Sequence, residues 1–457
     1  MRKKGNPRSS KWKAVQEVVH PNAAGIDIGA KQNWVAVPAD RDEQPVRSFG
    51  CFTEDLRAMA LWLQACGIDT VAMESTGVYW VPVFQILEEY GFEVYLVNAR
   101  HVKNVPGRKT DVLDCQWLQR LHSFGLLAAS FRPADEICVL RSYWRHRINL
   151  IQDATRHIQH MQKALEQMNI QLHKVISDVT GVTGMRIIDG ILSGERDLHK
   201  LAALRDCRIK SDEDKIAKAL VRDYRQEHLF ALRQALESYR FYQGQIAQCD
   251  QQIEAYLTTL DTRVDPTQRP LPPRDSKRNR PSANEPNFDL RTHLYRISGV
   301  DFTQIEGFGV MTAQSILAEV GLDPSRFPKQ KNFCSWLGLC PDNRITGGHV
   351  KSTKTRKVNN RAATAFRMAA QSLTHSGGPL GAYYRRMRAR IGPAEAITAA
   401  AHKLARIFYQ LWTEPELYDP TLLERHEQQH TQRMINSLRK RARSFGLELV
   451  PQTLVTQ

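Results

Sequence analysis

Residues 23–40 read AAGIDIGAKQNWVAVPAD, and the charge inside that stretch is the key to the fold. Two apolar runs, with Gly29 to Gln32 between them, have the pattern of two strands joined by a tight turn. Asp27 sits inside the first run. A carboxylate in an apolar strand is costly to desolvate, so it calls for a partner charge. Working outward, EDLRAMALWLQAC (54–66) has helical spacing, and TVAMES (70–75) reads as a third, buried strand that carries Glu74 near its end. VPVFQILEEYG (81–91) reads as a helix closed by Gly91, and FEVYLVNA (92–99) as another strand. Strands alternating with helices predict an α/β domain, a sheet covered by helices.

GRKTDVLDCQWLQR (107–120) follows, with Asp111 and Asp114 three residues apart behind the basic pair Arg108 and Lys109. Two readings compete. Aspartates in a first helical turn offset the positive end of the helix dipole. Residues i and i+3 also share a helix face, so both carboxylates could reach one metal. Asp27, Glu74, Asp111 and Asp114 together offer four carboxylates from three elements. Mg²⁺ takes oxygen ligands, and a pair of such ions about 3.5–4 Å apart activates an attacking oxygen and stabilises a leaving one at phosphate.

The 457 residues exceed one domain and predict two or three. Hydrophobic residues, 42 % of the chain, suffice for packed cores, and no run of 18 apolar residues exists to span a membrane. The basic start MRKKGNPRSSKWK has no apolar stretch behind it, so it reads as a flexible arm rather than a secretory signal. A net charge of +16 suits a polyanionic partner, nucleic acid above all. Eight cysteines, at 51, 66, 115, 138, 207, 249, 334 and 340, form no CxxC pair. That argues against a zinc site and for free thiols in a reducing cytoplasm.

Further along, Trp144, Ile151, Ile158, Leu165 and Leu172 repeat every seven residues, and Leu232, Tyr239, Ile246, Ile253 and Leu260 do the same. These heptads predict coiled-coil helices; the plainer alternative is two ordinary packed helices. The stretch 176–225 reads as a small helical insert. VDPTQRPLPPRDSKRNRPSANEPN (264–287) holds almost no large apolar residues and reads as a disordered linker. The resulting map is a basic arm (1–22), an α/β domain (23–135), long helices with an insert (136–263), a Pro-rich linker (264–290), a mainly helical domain (291–415) and a basic tail (416–457).

In the last domain, IEGFGVMTAQSILAEVG (305–321) reads as a turn, two glycines and a helix. Gly307 and Gly309 could let backbone amides approach a phosphate, or could mark a packing corner. HVKSTKTRKVNNRAATAFR (349–367) carries Lys351, Lys354, Arg356, Lys357, Arg361 and Arg367 among Ser, Thr and Asn donors, as phosphate contacts need. Trp336, within the apolar WLGLC, reads as core.

Four stretches carry a family resemblance: GIDIGAKQNWVAV (25–37), AMESTGVYWVPVFQIL (72–87), VNARHVKNVPGRKTDVLDCQWL (97–118) and FCSWLGLCPDNRITGGHVKSTKTRKVNNRAA (333–363). In order and spacing they resemble the DEDD transposases of bacterial insertion sequences, which include Piv-type invertases and bridge-RNA-guided recombinases. The resemblance runs from about 23 to 412. It implies a RuvC-like (RNase H-like) catalytic domain with Asp27, Glu74, Asp111 and Asp114 as the metal-binding quartet, and so tips the Asp111–Asp114 question towards metal ligation. It also implies a hydroxyl nucleophile in the C-terminal transposase domain, which becomes covalently linked to DNA. The family's usual serine, ahead of glycine and after a GL-x-P element, is here Thr346 in ITGG, a departure. Ser335 and Ser352 are nearby fallbacks. Further implied are donor and target DNA, a bridge RNA that reads sequence by base pairing, and a dimer or tetramer sharing sites between protomers. Competing readings are a RuvC-like nuclease or resolvase using water, an actin-like ATPase suggested by AGIDIGA alone, and a noncatalytic nucleic-acid-binding protein.

Overall fold

The computed structural model describes residues 18–75, 77–98, 111–221, 223–273, 284–415 and 418–450. The expected phosphate contacts Arg108 and Lys109, most of the basic arm and the middle of the Pro-rich linker lie outside the described residues. The chain forms two compact units, Met1–Arg132 and Pro133–Gln457, taken here one at a time.

The first unit is built on β1 (Ala23–Ile28), β2 (Asn33–Ala36), β3 (Val46–Phe49), α1 (Thr53–Ala65), β4 (Thr70–Glu74), α2 (Trp80–Glu89), β5 (Glu93–Val97) and α3 (Asp111–Ser123). The strands form one mixed sheet in the order β3-β2-β1-β4-β5. The β1–β2–β3 meander is antiparallel, while β4 and β5 run parallel to β1. One face buries Ala24, Ile26, Ile28, Val71 and Met73 against Leu56, Met59 and Leu63 of α1 and Phe84 and Leu87 of α2.

The other face is lined by small residues. A strand alternates its side chains, so Ala23, Gly25 and Asp27 share that face, with Ala72 paired to Gly25 on the neighbouring strand. Helix α3 lies on it so closely that a Cβ on Gly25 would sit 2.2 Å from the Gln119 amide nitrogen and 2.4 Å from the Cys115 carbonyl oxygen. The expected sheet covered by helices is therefore present, and the glycine fixes how near the second cover comes.

The second unit contains α4 (Asp135–Gln167), α5 (Val182–Leu192), α6 (Leu198–Ala202), α7 (Glu213–Ala219) and α8 (Gln226–Thr259). It continues with α9 (Leu290–Ser298), α10 (Val310–Val320), α11 (Gln330–Trp336), β6 (Arg344–Thr346), β7 (His349–Ser352), α12 (Arg361–Ser372), α13 (Pro379–Ile391), α14 (Pro393–Thr413) and α15 (Thr421–Ser444). Helices α4 and α8 pack antiparallel along their length. Tyr256 Oη donates to the Glu136 carbonyl at 2.8 Å, Arg147 pairs with Asp250, and His157 stacks on Tyr242. Trp144, Ala154, Met161 and Leu165 of α4, and Leu232, Ile246 and Ile253 of α8, are buried. The plainer alternative to a coiled coil thus accounts for the heptads: the apolar seam is covered within one chain. Used this way, it does not leave those side chains for pairing between protomers.

Short helices α5 to α7 close over the far end of this pair, burying Ile187, Ile188, Ile191, Leu201 and Ile216. At the other end, Trp144 Nε1 donates to Ser315 Oγ at 3.0 Å, and Arg145 forks onto the Glu319 carboxylate, fastening α4 to α10. The C-terminal helices share an aromatic core: Phe302 stacks on Phe408 at 4.4 Å, and Phe327 and Trp336 meet at 5.2 Å. Trp336, half-buried, packs against these rings, as its neighbours in sequence suggest. Among the described residues no helix is long and apolar enough to cross a membrane.

Candidate active site

The carboxylates are placed by the sheet. Parallel pairing sets Ala24 beside Val71, Gly25 beside Ala72 and Ile26 beside Met73. The next residues of the two strands, Asp27 and Glu74, are therefore neighbours at the carboxyl ends of β1 and β4, on the face that α3 covers. Helix α3 is positioned at two further points. Gly25 admits its backbone near Cys115 and Gln119. At its last turn His122, fully buried, sets Nε2 2.8 Å from Thr70 Oγ1, and its ring stacks on His20 at 4.8 Å. With middle and end fixed, the first turn, holding Asp111 and Asp114, is brought over the ends of β1 and β4.

Electrostatics report the same gathering. The Asp27 carboxyl is raised from the usual 3.8 to about 6, first by burial and then by the negative charges of Asp111, Asp114 and Glu74. Each of the other three carboxylates of the quartet is thus near enough to be felt. Cys115, wholly buried on the inner side of the same helix, has its thiol pushed up to about 12, chiefly by desolvation; it is packing, not a nucleophile.

Among the described residues no three His, Cys, Asp or Glu side chains stand close enough to share one metal ion. The quartet is gathered around Asp27 without converging to ligand distance. Its donors are all carboxylate oxygens, which fit a hard divalent cation such as Mg²⁺, and a positive charge there would reverse the repulsion that lifts Asp27. In donor type and charge the residues fit such an ion.

In the second unit Thr346 ends β6 and pairs with His349 across a two-residue loop. Gly347 and Gly348, at φ +58° and +79°, give the two left-handed residues that a type I′ hairpin turn requires. The base of the hairpin is tied by the Asp342 amide donating to the Lys354 carbonyl at 2.9 Å. In the preceding GL-x-P element, Gly338 (φ +64°) lies so close beneath Val358 that a Cβ would sit 2.5 Å from its Cγ2. Thr346 is exposed, and among the described residues its hydroxyl makes no hydrogen bond. It therefore does not cap its own turn. Ser335 is exposed on α11, and its carbonyl accepts from Arg356 Nη2 at 2.8 Å. Ser352 is half-buried, and its hydroxyl accepts from the Lys354 amide at 3.3 Å.

Lys351, Lys354, Arg356, Lys357 and Arg361 are all exposed around the hairpin and the start of α12, and among the described residues none forms an ion pair. The two glycines of IEGFG divide. Gly307, at φ +89°, is turned against α12, where a Cβ would meet the Ala369 carbonyl oxygen at 2.8 Å; it serves packing. Gly309 is the open N-cap of α10, with nothing within 4 Å of a Cβ. Between them in role stands Glu306. Its buried carboxylate accepts from the Leu380 and Gly381 amides at 2.8 and 2.9 Å and from Ser376, capping the N-terminus of α13 from another segment. Glu306, His122 and Gly25 were not legible as positioning residues. Gly25 alone left a signal, a residue without a side chain on the face of Asp27.

Comparison with known proteins finds two family matches along the chain. Residues 24–170 match the transposase family signature DEDD_Tnp_IS110, and residues 301–385 match the transposase IS116/IS110/IS902 family. An uncharacterised 44.8 kDa protein of insertion element IS116 from Streptomyces clavuligerus is 22 % identical over 410 residues, spanning 87 % of this chain and 96 % of its own. A putative transposase, y4pF/y4sB, of Sinorhizobium fredii is 30 % identical over 121 residues, 25 % of this chain and 31 % of that protein. With a carboxylate-bearing α/β unit and a helical unit each matched in order, the chain belongs to the IS110/IS116 family of DEDD transposases and is a DNA transposase.

Proposed function

We propose that the protein cuts and rejoins DNA with two sets of catalytic groups, the RuvC-like carboxylate quartet of the first unit and the Thr346 hydroxyl of the second. The observation that carries the reading is the gathering of Glu74, Asp111 and Asp114 around the half-buried Asp27, whose carboxyl is raised to about 6 first by burial and then by those three charges. A structural helix cap would account for Asp111 and Asp114 but not for two carboxylates side by side at the ends of paired strands. Bound Mg²⁺, two ions in our reading, would supply Lewis-acid stabilisation of charge on the phosphate oxygens.

The chain's own residues do the rest. Asp27, Glu74, Asp111 and Asp114 hold the cations. Thr346 Oγ1 attacks a DNA phosphodiester; an O–P bond to the protein forms, the strand's own P–O bond breaks, and the released DNA hydroxyl can later reverse the step on a new partner strand. Gly347 and Gly348 leave room for a phosphate to approach the backbone, and the exposed cations Lys351, Lys354, Arg356, Lys357 and Arg361 neutralise the flanking phosphates. Among the described residues the exposed Thr346 hydroxyl makes no hydrogen bond, which supports it over Ser352, whose hydroxyl accepts from the Lys354 amide. Sequence choice is delegated to a bridge RNA pairing with donor and target DNA, and two or more protomers assemble on them; both follow from the family resemblance.

The test is to trap the reaction on element-end DNA in Mg²⁺ and map the DNA-linked peptide by mass spectrometry. Thr346→Ala abolishes the adduct, Thr346→Ser keeps it, and Asp111→Ala prevents cleavage while leaving nucleic-acid binding within a fewfold of wild type. A label on Ser335 or Ser352 moves the nucleophile. Strand cleavage with no adduct at all favours the water-using nuclease instead.

A further inference from the structure

Between α4 and α8 lies an open hollow of about 440 Å³, within the range of about 300–1,000 Å³ typical of small-ligand sites. It exists because the facing positions Ala164, Ala231 and Ala235 are too small to close the gap between two otherwise well-packed helices. No carboxylate lines it. Its walls carry rings and donors instead. The His157 imidazole lies flat on Tyr242, with centroids 5.4 Å apart and planes 23° apart, and meets His160 edge-on at 5.6 Å. Phe230, 62 % exposed, stands at the opening, and Lys163 and Gln234 reach in from the two helices. Burial, with His160 beside it, holds the His157 imidazole below its ordinary range, so at neutral pH it offers an uncharged aromatic face.

We propose that this hollow receives an unpaired base of single-stranded DNA, stacked against the Phe230 and His157 rings with its phosphate on Lys163. Aromatic faces beside a cation, with no acidic side chain in the lining, are what a single strand needs and what sequence-tolerant stacking uses. The heptad seam already buries the apolar sides of both helices, so the exposed Phe230 ring is not required to hold them together. The inference rests on the proposed strand-cutting function, since opening and cutting a duplex is what presents unpaired bases.

The experiment uses the full-length protein and a short fluorescently labelled single strand of mixed sequence, with the matching duplex as control. Phe230→Ala, and Ala231→Leu at an exposed lining position that fills the opening, should each weaken single-strand binding by about fivefold to a hundredfold, the loss of one stacked base. Duplex affinity should stay within twofold. Photocrosslinking with bromodeoxyuridine in the strand should label the peptide carrying Phe230 or Tyr242. The inference is overturned by unchanged single-strand affinity in both variants, by crosslinks confined to other segments, or by binding of the corresponding RNA strand alone. It is equally overturned if the variants change sedimentation instead of DNA affinity, which would make the hollow a contact between copies of the chain. A wild-type protein binding neither single strand nor duplex would sink the functional reading itself, a distinct outcome.

Discussion

Adding one methyl group at Gly25 tests whether the sheet positions the proposed catalytic carboxylates. Gly25→Ala changes no charge, no ligand and no nucleic-acid contact. Its Cβ would fall 2.2 Å from the Gln119 amide nitrogen, whereas ordinary contact starts at 3.4 Å. The obstacle is helix backbone, which cannot rotate away as a side chain could, so α3 must back off by about 1 Å or more. Asp111 and Asp114 ride on the first turn of that helix, and Asp27 and Glu74 stay with the sheet. A misplacement of about 1 Å at catalytic groups costs on the order of a hundredfold in rate, and overpacking costs about 1–3 kcal/mol of stability. The assay is single-turnover strand cleavage in Mg²⁺, alongside circular dichroism and a melting curve to show that the variant is folded. The expected result is a folded protein, mildly destabilised, that binds DNA normally and cleaves roughly a hundredfold more slowly. A Gly25→Ala protein cleaving at the wild-type rate would show that α3 does not carry the chemistry, and would return Asp111 and Asp114 to the role of a helix cap.

Two stability predictions concern how the units hold their shape. Arg147, 1 % exposed, forks onto Asp250 and donates to the Asn284 carbonyl at 3.0 Å. Arg147→Leu should therefore cost about 3–5 kcal/mol in urea unfolding, because Asp250 is left buried without its cation, and Arg147→Leu with Asp250→Leu should recover most of it; an equally large loss in the double variant would contradict this. His122 has its pKa lowered from 6.5 to about 4, mainly by burial and then by His20. The unfolded chain takes up that proton as pH falls through 6.5 and the folded chain does not until about 4, so stability drops on acidification; the loss is about 2 kcal/mol at pH 5 relative to pH 7.5. His122→Gln should flatten that difference in melting experiments, and an unchanged pH slope would remove His122 as its source.

Much of the first unit was legible because its signals are local. The strand AAGIDI and the strand TVAME announce themselves by apolar runs, and an embedded charge in each marks a place where folding gives way to chemistry. Pairing and order were not legible. That Asp27 and Glu74 are neighbours depends on β4 joining β1 in parallel at one particular register, which alternation within either strand does not specify. The closeness of α3 depends on Gly25, and its angle on a buried His122–Thr70 contact linking residues 52 apart in sequence. Long-range contacts of this kind leave no periodicity behind.

The second unit shows the converse, signals that were read correctly as pattern and differently as use. A heptad repeat says only that one face of a helix needs cover; it does not say whose surface provides it. Here α8 of the same chain provides it to α4, and the polar pair Arg147–Asp250 fixes their register from inside the seam. IEGFG likewise combines three functions in five residues. Gly307 lets α12 approach, Glu306 caps α13, and Gly309 starts α10. Only the last leaves backbone open to solvent. Thr346, which the resemblance sets at the family's serine position, fits its place for a related reason. A β-branched residue suits the end of a strand, and the two glycines after it take all of the left-handed backbone that the turn demands. The methyl group is therefore accommodated by the strand, and the hydroxyl, bonded to nothing described, stays available at the tip.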